Sequence, residues 1–489
     1  MDATLQDVNA ALHEAQVAFL SYKNLSGKKK AEFLNAIAHE IEALGQKLIH
    51  TAMRETNLPE ARIVSERGRT TGHCRMFANL VEEGSWVDAR VDTAIPDRVP
   101  PRPDLRKMLV PIGPIVVFGA ANFPLAYSTA GGDTASALAA GCPVIVKAHP
   151  AHSDTSDLVA SAIQKAIEKT GMPKNIFQHL HGKGFEVGQA LVKHPHTKAV
   201  GFTGSLAGGK ALFDLANQRQ EPIPVFAEMS SINPVILLPD SLEKDFEKTA
   251  TTLAASITVG VGQFCTNPGL MIAVENDGLK NFINKLSEEF EKVLPGTMLH
   301  QGIADNYHKR VAQTLAQQGI KIEGESAQKG ENSQGQPLVA SVPAQEFLKN
   351  HLLAEEVFGP FSLIVKCKDL AELHSVINNG KGQLTASVMG RDEEIAKHKN
   401  LLNILIEKAG RLIVNGVPTG VEVVPAQNHG GPYPATTDSR FTAVGTDAIK
   451  RFVRPVAFQN FPDLLLPEEL KESNPLKIWR YRNSAWAKE

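Results

Sequence analysis

The sequence predicts an α/β fold of two domains, each a parallel sheet with crossover helices, plus a small β extension. Three observations predict it. From residue 114 short β-branched runs alternate with helical stretches, a second such series follows residue 232, and residues 96–103 place four prolines in eight positions ahead of both. Strands alternating with helices mark parallel sheets with crossover connections. The 489 residues suffice for about three ordinary domains, or two large ones with an appendage.

Taken in order, the opening ninety residues read as helices. Ser26 is suited to start one, and Phe33, Leu34, Ile37, Ile41, Leu44 and Leu48 recur on one face at helical spacing. The prolines of PDRVPPRP exclude a helix interior or a central strand there, so this stretch is a crossing segment or a protruding edge. Strands are expected in PIVVFG, CPVIVK, NIFQHL, KAVGFT and PVFAE, with helices over 125–140, 155–170, 185–193 and 206–218. Several of these strands end in Gly or small polar residues just before the next helix, where open α/β sheets bind ligands. The second series supplies PVILL, GLMIAV, SLIVK, TASVMG and RLIVNG, and the polar stretch 324–337 is a loop with strand-like sequence on both sides.

Composition excludes several classes. With 43% apolar residues, 21% charged residues and a net charge of −2, the chain is of soluble globular type, with no basic surplus for nucleic acid or a membrane surface. No run approaches the roughly 18 apolar residues of a membrane span, and MDATLQDVNAALHEAQ lacks the features of a secretory signal, so a cytoplasmic location is expected. Cys74, Cys142, Cys265 and Cys367 are far apart and form no C-x-x-C pair, which argues against a disulfide framework or a thiolate zinc site. The pairs His149/His152, His179/His181 and His194/His196 show no carboxylate partner in the sequence, so they are expected to be surface or loop histidines and no metal is expected. There is also no G-x-S-x-G elbow to support a serine hydrolase.

Two stretches carry candidate chemistry. GFTGSLAGGKAL, residues 201–212, has the glycine and lysine spacing of a phosphate loop, but Ala211 stands where a P-loop needs Ser or Thr for Mg²⁺. A P-loop phosphotransferase is therefore disfavoured, while phosphate binding by these glycines stays open. In VGQFCTNPG, residues 261–269, Gly262, Pro268 and Gly269 put Cys265 on a turn-rich loop. A nucleophilic thiol needs a base, an oxyanion donor and a cause for its pKa to fall. Glu228, ending the strand PVFAE, is a candidate half-buried base with a raised pKa, and Asn122, just past PIVVFG, a candidate oxyanion donor. Each has a plainer reading: a buried cysteine, a solvated strand end, and a turn former before Pro124.

The chain resembles the aldehyde dehydrogenase superfamily over nearly its whole length, on motifs that occur in the family's order. These are ANFP at 121–124, VIVKAHP at 144–150, GFTGS at 201–205, the glutamate strand at 225–228, GQFCTNPG at 262–269 and EEVFGP at 355–360. SERGRTTGHCRMF at 65–77 and NHGGPYPATTDSRFTAVG at 428–445 are similar to the branch of 2-oxoglutarate semialdehyde dehydrogenases and NADP-preferring bacterial fatty-aldehyde dehydrogenases. The resemblance implies a Rossmann-like cofactor-binding domain at 1–90 and 112–230, a catalytic domain at 231–430, and an oligomerisation extension at 91–111 and 431–489. A homodimer or homotetramer is implied with it. Cys265 is then the nucleophile, Asn122 and the Cys265 backbone N–H hold the oxyanion, and Glu228 activates water. Gly204 and Ser205 begin a helix facing the cofactor pyrophosphate. Lys147 holds the adenosine ribose, and Glu356 with Phe358 positions the nicotinamide ribose.

This sequence departs from the family pattern at two places. Pro150 stands where many NAD-preferring relatives carry a ribose-binding glutamate, and Lys147, His149 or Lys183 offers positive charge, so NADP is the expected cofactor, with NAD tolerated. After Glu228 the usual E-L-G-G-K reads Glu-Met-Ser-Ser-Ile, which implies altered packing around the carboxylate. The expected reaction oxidises a small-molecule aldehyde to its acid. The leading substrate is 2,5-dioxopentanoate, with Arg67, Arg69 and Arg440 as candidates for its carboxylate. The alternatives are a long-chain aldehyde in an apolar tunnel and a non-catalytic nucleotide-binding relative.

Overall fold

The computed structural model describes residues 2–488. Four helices open it: α1 (Leu5–Tyr22), α2 (Gly27–Ala43), α3 (Gly45–Thr56) and α4 (Glu60–Glu83). Ser26 caps α2, its Oγ accepting the Lys29 N–H at 3.3 Å. The apolar series Phe33 to Leu48 spans two helices rather than one, because Gly45 at φ +55 turns the chain after Leu44 and gives Leu48 to α3. The apolar spacing continues across the turn because both helices face the same core.

The alternating region then runs β1 (Arg90–Asp92), β2 (Leu105–Pro111), β3 (Ile115–Phe118), α5 (Gly132–Ala140), β4 (Val144–Lys147), α6 (Ser153–Thr170), β5 (Phe177–Leu180), α7 (Glu186–Lys193), β6 (Ala199–Thr203), α8 (Leu206–Asn217) and β7 (Val225–Glu228). Strands β3 to β7 form a parallel sheet in the order β5-β4-β3-β6-β7. The chain thus builds outward from β3 in one direction, then returns to its other side. That reversal leaves a crevice outside the carboxyl ends of β3 and β6, where open α/β sheets bind ligands.

Next come β8 (Val235–Leu237), α9 (Pro239–Lys244), α10 (Phe246–Thr258), β9 (Leu270–Val274), β10 (Gly296–Thr297), β11 (Lys321–Glu325), β12 (Gln334–Gly335), β13 (Leu338–Pro343), β14 (Phe361–Cys367), β15 (Gln383–Met389) and β16 (Ala409–Val414). Seven of these strands make the second sheet, β11-β13-β14-β9-β8-β15-β16, parallel throughout except for β11, which pairs antiparallel with β13 at one edge. Separate apolar clusters cover its two faces. The remaining strands, β17 (Val453–Gln459), β18 (Arg480–Arg482) and β19 (Ala485–Ala487), join β1 and β2 in a third sheet, β17-β2-β1-β18-β19. The proline-rich stretch is a loop protruding from this third sheet, closed by the bridge Ile95–Arg102 and with Val99 94% exposed at its tip.

One segment ties the first two sheets together. Residues 428–437 pass hard against β15 and β16, since a Cβ on Gly410 would sit 1.9 Å from the Gly430 carbonyl oxygen. The segment then hydrogen-bonds along β7, where Met229 N–H donates to Ala435 O at 2.9 Å and Thr437 N–H to Ala227 O at 3.1 Å. No helix among the described residues is long and apolar enough to cross a membrane.

The backbone contact at Gly410 leaves no room for a side chain. Gly410→Ala is expected to cost about 1–3 kcal/mol, the usual range for overpacking a closed contact. The urea midpoint should fall at unchanged m-value. A midpoint equal to that of the unaltered protein would mean the strap shifts freely.

Candidate active site

The carboxyl ends of the first sheet carry three of the singled-out groups. Asn122 lies on the loop after β3, Gly204 and Ser205 follow β6, and Glu228 ends β7. Ser205 caps α8, its Oγ accepting the Gly208 N–H at 3.2 Å, while Gly204 N–H donates to Glu228 O at 3.1 Å. The first N–H groups of α8 have no partner within the helix and open onto the crevice, a suitable seat for a pyrophosphate.

Cys265 reaches this edge from the second sheet. After α10 three successive residues, Gly260, Val261 and Gly262, adopt left-handed φ values of 57°, 58° and 63°. The conformation is unusual for a β-branched valine and reverses the chain sharply. It is held by close backbone approach, because a Cβ on Gly262 would lie 2.3 Å from the Gly359 carbonyl. Asn233 fixes the loop from below, its Nδ2 donating to Cys265 O at 2.8 Å and Asn267 O at 2.9 Å. Asn233 Oδ1 accepts in turn from Thr385 Oγ1, and the single Ser231 O–H is shared between Asn233 Oδ1 and Gln383 Oε1, each 2.9 Å away. The serine in the altered Glu-Met-Ser-Ser-Ile stretch therefore belongs to the support of the nucleophile loop.

On the loop after β3, Asn122 Nδ2 donates to Gln263 O at 3.1 Å, two residues before the cysteine. An amide has two N–H groups, so one remains for an oxyanion. His429, which sequence reasoning passed over, comes from the strap. Its Nε2 lies 3.0 Å from Glu228 Oε2 and 3.6 Å from Cys265 Sγ, and the ligand atoms of all three residues fall within 4.8 Å of one another. Glu228 and His429 are 4% and 2% exposed, whereas Cys265 is the one cysteine among the described residues that is not buried. The signal for His429 is the following Gly-Gly, whose missing side chains let the strap sink against β15 and β16.

Comparison with known proteins now decides the family. The model of the aldehyde dehydrogenase family matches residues 1–452. The chain belongs to the aldehyde dehydrogenase family. Among its relatives, alpha-ketoglutaric semialdehyde dehydrogenase 2 of Azospirillum brasilense is 51% identical over 98% of this chain and 92% of its own. The alpha-ketoglutaric semialdehyde dehydrogenase of Acinetobacter baylyi is 47% identical over 98% and 91%. A solved structure of 1-pyrroline-5-carboxylate dehydrogenase from Thermus with bound NAD superposes with a TM-score of 0.79 over 94% of this chain and 86% of that one, at 21% identity. That likeness speaks for the fold.

The electrostatics of this aldehyde dehydrogenase site differ from the sequence expectation. Burial alone would raise the Glu228 carboxyl, but His429 beside it outweighs that and holds it below the ordinary 4.5. Cys265 moves the opposite way: burial, then the charge of Glu228, pushes its thiol well above 9.0, with Arg69 opposing. The sulfur thus keeps its proton next to an ionised acceptor, instead of resting as a thiolate. Glu356, half-buried near Gly359, is pushed up to about 7 by burial, and Phe358 lies beside it on the same loop.

The remaining candidates divide. Lys147, half-buried at the end of β4, has no ion-pair partner within 4 Å among the described residues. Burial lowers its pKa and the charge of Asp2 opposes that. An unpaired, half-buried ammonium beside the crevice, with the open N-terminus of α8, fits a nucleotide ribose and pyrophosphate. His149 does not supply the positive charge expected of it: half-buried and stacked on His152 at 5.4 Å, it loses solvation and its pKa falls to about 3. Lys183 is exposed, and its backbone N–H donates to Asp2 Oδ2 at 3.0 Å. His179 and His181 do have a carboxylate partner, Asp157 on α6, at 3.5 and 2.7 Å, which their spacing in sequence conceals. Arg67 donates to Gly45 O on α3 and exposed Arg440 pairs with Asp438, whereas Arg69 faces Tyr127 beside the site.

Because the Cys265 thiol is held above its ordinary value, alkylation by iodoacetamide in cofactor-free protein should be slow at neutral pH and still accelerate above 9.0. Peptide mass spectrometry should find Cys265 modified ahead of the three buried cysteines. A rate that levels off below 9.0 would contradict the shift.

Proposed function

We propose that this protein oxidises 2,5-dioxopentanoate to 2-oxoglutarate with NADP, through a thioester on Cys265. The observation that carries this reading is the meeting of Cys265, Glu228 and His429 at the crevice of the first sheet. The named activity of the two relatives near half identity supports the substrate. Pro150 in place of a ribose-binding carboxylate, with Lys147 and Lys183 on the same edge, supports NADP over NAD, against the nearby charge of Asp2. Lys147, Gly204, Ser205, Glu356 and Phe358 would hold the dinucleotide, which when bound supplies the hydride acceptor.

The chain's own groups account for the rest. Cys265 Sγ attacks the aldehyde carbon as its proton passes to Glu228, with His429 Nε2 close to both. The resulting oxyanion is met by the free N–H of the Asn122 amide and by the Cys265 backbone N–H. Loss of hydride from the reacting carbon leaves the thioester. Glu228 releases the thiol proton to solvent before hydrolysis; ionised again through its pairing with His429, it takes a proton from the water that attacks the thioester and returns that proton to the Cys265 sulfur as the acid departs.

The four free cysteines support a cytoplasmic setting. A homodimer or homotetramer is supported by the third sheet, whose terminal strand β19 is an open edge carrying Trp486 at 59% exposure.

Cys265→Ala should abolish turnover while leaving NADP binding measurable by equilibrium dialysis, and substantial surviving turnover would remove the proposed nucleophile. Glu228→Gln should slow both the burst of reduced cofactor and the steady rate by about 100-fold, the ordinary worth of a general base. A burst as fast as that of the unaltered protein would confine Glu228 to the hydrolysis step. For cofactor choice, kcat/KM with NADP should exceed that with NAD by about tenfold, the worth of one added charge-assisted hydrogen bond. Parity, or better performance with NAD, overturns the preference.

A further inference from the structure

Helix α4 presents two arginines to the site, Arg62 and Arg69, seven residues apart and so within about 20° of each other around the helix. The Arg62 guanidinium lies 4.3 Å from the Phe123 ring centroid and 5.2 Å from that of Phe264. Those rings meet edge to face at 5.7 Å, and they are the chain neighbours of Asn122 and Cys265. Arg69 lies 5.5 Å from the Tyr127 ring, donates to its hydroxyl at 3.3 Å, and has a buried Nε with no hydrogen-bond partner. A guanidinium covered on its face by aromatic rings directs its N–H groups outward along its edge.

A buried carboxylate holds this arrangement. Glu66, whose side chain is 0% exposed, accepts the Leu125 and Ala126 N–H groups on Oε1 at 2.8 and 2.9 Å and places Oε2 3.2 Å from Arg62 Nη1. The same carboxylate thus fixes Arg62 and the segment that follows Asn122. Glu66 meets Arg62, whereas no carboxylate of the described residues lies within 4 Å of the Arg69 guanidinium. Desolvated cations are costly without an anion to meet them.

We infer that Arg62, positioned by Glu66, and Arg69 form an anion clamp at the far end of the substrate pocket, selecting short aldehydes that carry a terminal carboxylate. This rests on the aldehyde-oxidation reading above and assigns the recognition to particular side chains. Phe123, Tyr127 and Phe264 pack together against the two guanidinium groups, and the intervening carbons of the substrate would lie against these rings.

The test compares kcat/KM for 2,5-dioxopentanoate and for succinic semialdehyde with that for pentanal, in the unaltered protein and in Arg62→Gln and Arg62→Lys. Arg62→Gln should lower the carboxylate-over-pentanal ratio about 100-fold, mostly through KM, as expected when one partner of a desolvated charge pair is removed. Arg62→Lys keeps the charge but not the flat fork, so about a tenfold loss is expected, which also guards against a Gln variant that fails to fold. Equal losses on all three aldehydes, or an unchanged ratio, would make Arg62 merely structural and overturn the clamp. An unaltered protein with no preference for either carboxylated aldehyde overturns it too. If the protein favours succinic semialdehyde but ignores 2,5-dioxopentanoate, and Arg62→Gln erases that preference, the clamp stands and the substrate reading falls.

Discussion

The contact between Glu228 and His429 is the constraint on which the site depends. A carboxylate buried at the end of a strand, as Glu228 is on the edge strand β7, is expensive to keep ionised unless a partner meets it. His429 meets it at 3.0 Å, and that partner arrives on a strap packed against the other sheet. The interaction therefore acts twice. It sets the protonation of the base, and it joins the sheet bearing the crevice to the sheet bearing the thiol.

Seen from that contact, the tight turns around the thiol have a common purpose. Three left-handed residues precede Cys265, Gly262 abuts Gly359, and the Ser231, Asn233 and Gln383 network grips the loop from beneath. Together they hold a protonated sulfur within reach of its acceptor. The loop carrying Glu356 and Phe358 is fixed by the same close approach, as Asn267 Nδ2 donates to Gly359 O at 3.0 Å. A single packed junction thus aligns groups from both sides of the cleft.

Much of this was legible in the sequence, and the reasons are physical. Buried parallel strands require unbroken β-branched runs, so PIVVFG, CPVIVK and GLMIAV identified themselves. Glu228 and Asn122 could be singled out because strand ends in such sheets face ligands. Features that arise from neighbours distant in the chain were not legible. The Cys265 thiol is raised by burial and by Glu228 close in space, His149 is neutral because it is half-buried and stacked on His152, and Asp157 finds two histidines from another element. Arg62 escaped notice because a lone arginine on a helix says nothing about the rings it will cover. The helix break at Gly45 was hidden by apolar spacing that continues across it.

The strap has one more consequence, for the life of the chain before it is complete. His429 follows Cys265 by 164 residues, so during synthesis the thiol emerges well before the imidazole that belongs beside it. Until that late segment docks, Glu228 lacks its counterpart and the pocket lacks a wall. The cleft is complete only once residues 428–437 have joined the two sheets.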